Sequence, residues 1–483
     1  MLIDLIGQLR CWTICKCITL IFILSLCLIF TQNIYFPKKG QYSSTKTGKT
    51  ASKPIVTSST MAGKAINDML QRYKAAMVLS GAGDAIGYNR GRWEFCTDGL
   101  QIHKELNKMG GLAKINVAEK AEGKTEGNKY RWLVSDDTVM HLATAEALCD
   151  NGDLEKTLRK IGDNYKECMS DMSRRGPGPT CMNGAHIWNP KSEKRQVIPF
   201  DPRGGGCGGA MRAMCIGLRY PRVEDEDKLI AISIESGRMS HHHPTGYLGA
   251  LASALFTAYS VQGKELKEWG HGLMEILPRA LKYVQEAGHS VKENKDAWNE
   301  RKSFGDRWKN YLLYRKILDG KSEPVFPEQY DVKERDEFYT SVSFSGWGGA
   351  SGHDAPLIAY DSILVAKDNW TELANRAFFH GGDSDSTAVM AACWFGALYG
   401  YKGVPESNYK GLEYHSRLDK AGEILYNLSH PKSAAEPDSQ LSQPEPMEEE
   451  AAPDSQPESV KAPESEPEKA SESEPVKTPD SLL

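Results

Sequence analysis

The sequence predicts an all-α fold, and three observations lead to this fold class. Residues 139–148 place apolar side chains on one face with the period of an amphipathic helix. Residues 387–399 are small and apolar on nearly every side, as in a buried central helix. Alternating apolar and polar residues, the pattern of a half-buried strand, are scarce. We therefore expect a mainly helical protein with long functional loops between its helices.

Further helical patterns follow along the chain. They cover residues 247–258, 266–277, 355–366 and 370–379. Pro278 is expected to end or kink the second of these helices. With 483 residues, of which 40% are hydrophobic and 25% charged, the chain can bury a large core. We place the globular domain at residues 69–431.

The N-terminal segment predicts a membrane anchor at residues 1–38. Residues 17–37 carry no charge, and their apolar centre makes the run long enough to cross a bilayer. A cleaved signal peptide is the alternative, but the residues that follow form a poor cleavage site. We expect a single-pass membrane protein. Met61 as a second start would instead give a cytoplasmic form.

Two segments outside the domain have the composition of unstructured chain. Residues 39–68 are rich in Ser, Thr, Lys and Gly, and we predict a linker. Residues 432–483 hold 14 Asp and Glu against 4 Lys and few large apolar side chains, so we predict a disordered acidic tail. This tail accounts for the net charge of −5.

Composition also excludes several classes of protein. No stripe of Arg and Lys with interleaved aromatic residues is present, so we expect no nucleic-acid partner. The 11 cysteines include no CxxC pair, which argues against a disulfide scaffold or a zinc ribbon.

Two acid clusters carry most of the chemical information. The first acid cluster (residues 135–138) reads Ser-Asp-Asp-Thr, and the second acid cluster (residues 381–387) contains Asp383 and Asp385. Each precedes an apolar helical stretch, so helix capping is the alternative reading. Adjacent carboxylates repel unless a cation neutralises them, and oxygen donors suit magnesium, calcium or manganese. The pair predicts a two-part metal site, which suggests hydrolysis.

Three loops are candidates for ligand contacts. The glycine-rich run 204–212 fits GxGxxG only formally, because prolines precede it where a strand is needed; it offers free backbone N–H groups to phosphate. The loop 174–179 has two arginines beside glycines and prolines, and its cations can contact phosphate. Trp347, in a third glycine-rich loop, can cover a ligand ring. The alternative for each loop is a plain surface turn.

Two further residue types stand near these loops. Glu94 lies between aromatic residues, where a partly apolar pocket would raise its pKa and make it an acid near the site. The histidines at 241–243 lack a companion Cys/His cluster, so zinc is not expected. Asp354 is expected to cap the helix that follows it.

Taken together, the motifs resemble the ADP-ribosylglycohydrolase family, and most closely its ADP-ribosylarginine hydrolases. The likeness covers about residues 69–430 in order. The matching segments are residues 74–80, 83–85, 134–141, the glycine run ending at Arg212, 240–247, 352–356 and 380–387. The resemblance implies a compact single-domain helical fold with a centre of two Mg²⁺ ions.

The resemblance also implies roles for individual residues. The implied metal ligands are Ser135, Asp136, Asp137, Asp383, Asp385 and Ser386. The family's flexible glutamate falls on Glu94, and its adenine-side histidine on His241. The implied phosphate and ribose contacts are Gly176, Gly178, Gly206, Cys207, Gly208 and Gly209.

The expected function is magnesium-dependent removal of ADP-ribose from arginine side chains of proteins. Asp136, Asp137 and Glu94 are the expected catalytic residues, and either Asp137 or Glu94 can accept the proton from water. The expected partners are ADP-ribose and ADP-ribosylated proteins, and we expect a monomer. Two alternatives remain: an ADP-ribose-binding module without turnover, and a hydrolase acting on ADP-ribosylserine or O-acetyl-ADP-ribose.

Overall fold

The structure, a computed structural model, describes residues 58–118, 132–192 and 195–431. The chain divides into two units, Met1–Asn67 and Asp68–Leu483, and the site lies in the second. The predicted anchor (residues 1–38) and acidic tail (residues 432–483) lie outside the described residues and stay predictions.

Helices make up the ordered framework of the described residues. They are α1 Ser58–Tyr88, α2 Gly99–Lys108, α3 Asp136–Leu148, α4 Leu154–Cys168, α5 Pro179–Ile187, α6 Met214–Arg219, α7 Glu226–Arg238, α8 Pro244–Gln262, α9 Trp269–Glu286, α10 Val291–Trp298, α11 Phe304–Tyr314, α12 Val332–Val342, α13 Asp354–Ala366, α14 Trp370–Ala377, α15 Ser384–Tyr399 and α16 His415–Ser429. Extended pairing in this part of the chain is limited to two isolated bridges, Gly206 with Ser351 and Gly348 with Gly382. The predicted all-α fold class is confirmed.

Several element boundaries differ from the sequence prediction. Helices α3 and α15 begin three residues earlier than predicted, so the acidic residues lie at the helix starts. Residues 58–68, predicted as linker, form the first turns of α1. Pro278 does not end α9, which continues to Glu286 because it buries an apolar face on both sides of the proline.

The core is built around helices that are buried on almost every side. Nearly all residues of α3, α8, α13 and α15 are buried. At its centre the ring of Phe256 lies 5.1–5.5 Å, centroid to centroid, from the rings of Trp269, Trp308, Tyr360 and Trp394. Because these rings come from α8, α9, α11, α13 and α15, their packing fixes those helices against one another.

Helix α1 packs closely on α15 through two glycines. A Cβ atom at Gly83 would lie 2.7 Å from the carbonyl oxygen of Ala388, and one at Gly87 would lie 2.7 Å from that of Ser384. Residues four apart share one face of a helix, so these glycines form one flat contact strip. The absence of side chains there lets the two backbones touch beside the start of α15.

No described helix has both the length and the hydropathy needed to cross a bilayer. The predicted anchor at residues 17–37 is not among the helices that this finding covers.

The close contact between α1 and α15 predicts the effect of Gly83→Ala. The added methyl group would lie 2.7 Å from the Ala388 carbonyl and 2.8 Å from the Ala392 methyl group, so the helices must separate. We expect a loss of about 1–3 kcal/mol in the free energy of unfolding, measured by urea denaturation.

The matched control is Gly305→Ala in α11. A Cβ atom there meets only Leu277, at an ordinary 3.4 Å. Since alanine is intrinsically the better helix former, the control should be neutral or stabilising. A Gly83→Ala protein as stable as the control would show that the two helices do not depend on this contact.

Candidate active site

A cavity of about 420 Å³ contains most of the residues singled out from the sequence. Its lining residues include Glu94, Asp136, Asp137, Gly176, Gly178, Gly206, Cys207, Gly208, His241, Trp347, Asp383, Asp385 and Ser386. Two predicted site residues do not line it. Ser135 is the N-cap of α3, and its side chain is within hydrogen-bonding reach of Asp385, while Gly209 packs against the start of α8, where a Cβ would lie 3.1 Å from the Gly246 carbonyl oxygen.

The first acid cluster forms the N-terminus of α3. The Ser135 hydroxyl accepts a hydrogen bond from the backbone N–H of Asp137 at 3.1 Å and caps the helix. Buried Asp84, in α1, accepts hydrogen bonds from the backbone N–H groups of Ser135 and Thr138, both at 3.1 Å, and from the Thr138 hydroxyl. Asp84 therefore fixes the position from which Asp136 and Asp137 enter the cavity.

The second acid cluster forms the N-terminus of α15. The N–H of Gly382 donates to the Cys96 carbonyl at 3.1 Å, and the N–H of Asp383 donates to the Gly348 carbonyl at 2.9 Å. The Ser384 hydroxyl donates to the carbonyl of Gly87, in α1, at 3.0 Å. Asp383 occupies the cap position but makes no capping bond; its carboxylate lines the cavity and accepts a hydrogen bond from the Cys207 thiol at 3.3 Å.

The fold brings the two clusters together. Carboxylate oxygens of Glu94, Asp383 and Asp385 lie within 4.8 Å of one another. Burial, followed by the charge of Asp385, raises the pKa of Asp136 to about 8 and the pKa of Glu94 to about 11. The same two causes raise the pKa of Asp137 well above its usual range. Acids from both clusters therefore share one electrostatic site.

This site fits a cation. Asp137 Oδ2 and Glu94 Oε2 are buried and have no hydrogen-bond partner in the described structure. Unpartnered, buried and mutually repelling carboxylates are unfavourable unless a positive charge is added. The nearby donors are carboxylates and hydroxyls, which magnesium and calcium prefer. The buried acid cluster can thus bind a metal ion.

Glycines form the wall opposite the acids. A Cβ at Gly208 would lie 2.6 Å from both Cys181 Sγ and the His241 ring, and Gly176 adopts a φ of +78°. Side chains are excluded at these positions, so backbone N–H groups face the cavity and can meet an anion.

Arg175 corrects the prediction of a cationic phosphate loop. Its guanidinium turns inward and pairs with Glu413 and Asp171, each at 3.0 Å. Its carbonyl accepts a hydrogen bond from the N–H of Asp136 at 3.1 Å. Arg175 therefore attaches the loop to α3, and its charge-assisted hydrogen bonds to two carboxylates compensate for its burial.

The three consecutive histidines have different environments. His241 lines the cavity and hydrogen-bonds the Ser240 hydroxyl at 2.8 Å, and burial lowers its pKa to about 3, so its ring is neutral. His242 bonds the Ile198 carbonyl at 2.6 Å, and His243 accepts from the N–H of Thr245 at the start of α8. Of these three rings, only that of His241 can contact a ligand in the cavity.

Sequence reasoning missed two residues that shape the site. Asp84 lies in the matching segment at residues 83–85, and the sequence signal for its role is a lone acid inside an apolar helix. Asp354 does not cap α13. Its carboxylate accepts from the N–H groups of Phe344, Gly349 and Ser351 at 2.9–3.2 Å and so holds the loop that carries Trp347.

The helical fold and the buried acid centre define an all-α protein in which two helix N-termini present carboxylates to one glycine-lined cavity. The sequence profile of the ADP-ribosylglycohydrolase family matches residues 65–435. A Dictyostelium discoideum protein named ADP-ribosylhydrolase ARH1 is 41% identical over 381 residues, covering 74% of this chain and 94% of that protein. The chain belongs to the ADP-ribosylglycohydrolase family, a family of hydrolases.

More distant relatives share the same region. Human ADP-ribosylhydrolase ARH3 is 27% identical over 377 residues, covering 74% of this chain and 94% of that protein. A mimivirus protein named putative ADP-ribosyl glycohydrolase L444 is 28% identical over 357 residues, covering 70% of this chain and 66% of that protein. A solved chain titled "ADP-ribosylglycohydrolase-related protein complex" is 18% identical, with a TM-score of 0.44, and covers 75% of this chain and 99% of that chain.

The contacts of Asp84 predict that Asp84→Asn weakens metal binding. An amide has only one acceptor atom for the three donors of Ser135 and Thr138, so the start of α3 must shift. We expect a loss of about 10- to 100-fold in Mn²⁺ affinity by calorimetry, the usual effect of removing a residue that orients ligands. Asp153→Asn, at the exposed cap of α4, is the control. Equal Mn²⁺ affinity of the two variants would contradict this role.

The raised pKa values predict how stability depends on pH. In the metal-free protein the pKa of Asp84 is about 7 and that of Asp136 about 8, because burial and Asp385 disfavour their charged forms. Unfolded carboxyls titrate near pH 4, so the folded state binds more protons over the interval between. The melting temperature in chelator should therefore fall from about pH 5 to about pH 8.

Magnesium should oppose this fall, since it binds the ionised acids. At 100 times its Kd, Mg²⁺ would add about 2.7 kcal/mol to the free energy of unfolding. Scanning calorimetry with and without Mg²⁺ across this range measures the difference. Parallel curves in the two conditions would argue against a cation at the acid centre.

Proposed function

We propose that this protein is a magnesium-dependent ADP-ribosylarginine hydrolase, which cleaves the N-glycosidic bond between ADP-ribose and an arginine side chain. The observation that carries the proposal is the meeting of both acid clusters with Glu94 in one glycine-lined cavity. Family membership supports hydrolysis of ADP-ribose linkages. The resemblance of its motifs to the ADP-ribosylarginine hydrolases supports arginine as the acceptor.

The acid centre would hold two Mg²⁺ ions. The proposed ligands are Ser135, Asp136, Asp137, Asp383, Asp385 and Ser386. Their donor atoms are all oxygens, which Mg²⁺ prefers. When bound, Mg²⁺ neutralises the buried acids and lowers the pKa of water.

The remaining cavity residues would bind and orient ADP-ribose. Backbone N–H groups at Gly206 and Gly208, and the loop around Gly176, are suited to the diphosphate. Neutral His241 lies beside the same glycines and is suited to a polar contact on the adenine side. This arrangement directs the distal ribose towards the acids and its anomeric carbon towards Glu94.

Hydrolysis needs a proton acceptor for the attacking water and a proton for the leaving guanidine. Asp137 and Glu94 each keep a buried carboxylate oxygen without a partner, so either can take the proton from water. The reaction passes through a sugar cation, which the surrounding carboxylates stabilise. The proton taken from the water ends on the departing guanidine nitrogen, so the arginine side chain leaves as a stable guanidinium cation.

The test is hydrolysis of an ADP-ribosylarginine peptide, with ADP-ribose release followed by chromatography. We expect Mg²⁺-dependent turnover that falls by about 10³-fold in the Asp136→Asn, Asp385→Asn double variant, because acids from both helices are lost. Asp319→Asn removes an exposed carboxylate whose hydrogen bonds stay within its own loop, and should keep wild-type turnover. Full turnover by the double variant would reject the proposed centre.

A panel of linkages tests the acceptor. ADP-ribosylserine peptide and O-acetyl-ADP-ribose, assayed beside the arginine peptide, separate the alternatives within the family. If the protein prefers either of these two substrates, that linkage replaces arginine as the proposed acceptor. The proposal that the protein is a hydrolase would still hold. Tight ADP-ribose binding without release from any of the three would instead indicate a binding module. The proposed membrane anchor at residues 17–37 bears only on where the reaction takes place.

A further inference from the structure

Two aromatic side chains at the cavity have no role in the chemistry described so far. Phe95, directly after Glu94, is 59% exposed, which is unusual for a side chain that gains from burial. Its ring centroid lies 5.9 Å from that of Trp347, with the planes 36° apart. Both line the cavity that holds the acid centre. We refer to Phe95 and Trp347 as the aromatic pair.

Backbone contacts attach the aromatic pair to the acid centre. Cys96, the residue after Phe95, accepts a hydrogen bond from the N–H of Gly382 at 3.1 Å. Gly348, the residue after Trp347, accepts one from the N–H of Asp383 at 2.9 Å. The two chain segments that carry the rings are therefore both attached to the second acid cluster.

The group expected there is a planar cation. Aromatic faces attract guanidinium groups. Because the two rings are tilted by 36°, each can present a face to a planar cation bound beside them. Glu94 adds a carboxylate next to Phe95, with Oε2 lacking a partner among the described residues. A neutral serine or acetyl linkage would gain little from these groups.

We propose that the aromatic pair, together with Glu94, binds the guanidinium of the ADP-ribosylated arginine and so selects the arginine linkage. This inference rests on the proposed function and adds the residues that recognise the acceptor. Because the rings contact the arginine side and not the nucleotide, they contribute to substrate selection without contributing to affinity for free ADP-ribose.

The experiment compares Phe95→Leu and Trp347→Leu with the wild type in two measurements. The first is kcat/KM for an ADP-ribosylarginine peptide, which should fall about 10-fold in each variant, the size expected for a cation lost from an aromatic face. The second is the Kd for free ADP-ribose by calorimetry, which should not change. Phe95→Tyr and Trp347→Phe keep aromatic faces and should restore most of the lost kcat/KM.

Tyr314→Leu is the matched control, since Tyr314 is 57% exposed and lies on α11, away from the cavity lining. Its kcat/KM should equal that of the wild type. Unchanged kcat/KM in the two test variants would overturn the inference. An equal loss of affinity for free ADP-ribose would also overturn it, because the aromatic pair would then bind the nucleotide and not the arginine side. If the wild-type protein released ADP-ribose from serine but not from arginine, both this inference and the proposed arginine acceptor would be wrong.

Discussion

Helix α1 contacts the starts of both α3 and α15, and the site depends on this double contact. Asp84 accepts hydrogen bonds from α3, while Gly83 and Gly87 let the backbone of α15 touch that of α1. The acids at these two helix starts repel one another, so their approach needs a rigid support. Backbone contacts and the fully buried carboxylate of Asp84 provide it.

The electrostatics of the site follow from that support. Each helix start offers partial positive charge to its acids, yet burial still raises the pKa of Asp136 and Asp137 above its usual range. Without a bound cation, the buried acids of the site therefore repel one another, although the helices that carry them are closely packed. A bound cation would relieve the repulsion between these acids.

The sequence was most informative where chemistry is local. Acid pairs, glycine runs and helical periodicity are read from neighbouring residues, and they predicted the fold class and most of the cavity lining. The sequence did not reveal roles that depend on partners far along the chain. Arg175 lies in a loop that resembles a phosphate contact, yet Glu413, far along the chain, turns it inward. Asp354 precedes a helix like a capping residue, yet its hydrogen-bond partners are N–H groups of a loop. Pro278 is tolerated inside α9 because the helix is packed on both sides of it.

In the proposed site, carboxylates from α3 and α15 bind divalent cations jointly. A crystal structure with Mn²⁺ and ADP-ribose is the decisive experiment, because anomalous scattering locates the metal independently of the protein. We expect anomalous peaks bounded on one side by Asp136 and Asp137 and on the other by Asp383 and Asp385. Mn²⁺ bound by only one of these helices, or bound elsewhere while ADP-ribose fills the cavity, would contradict it.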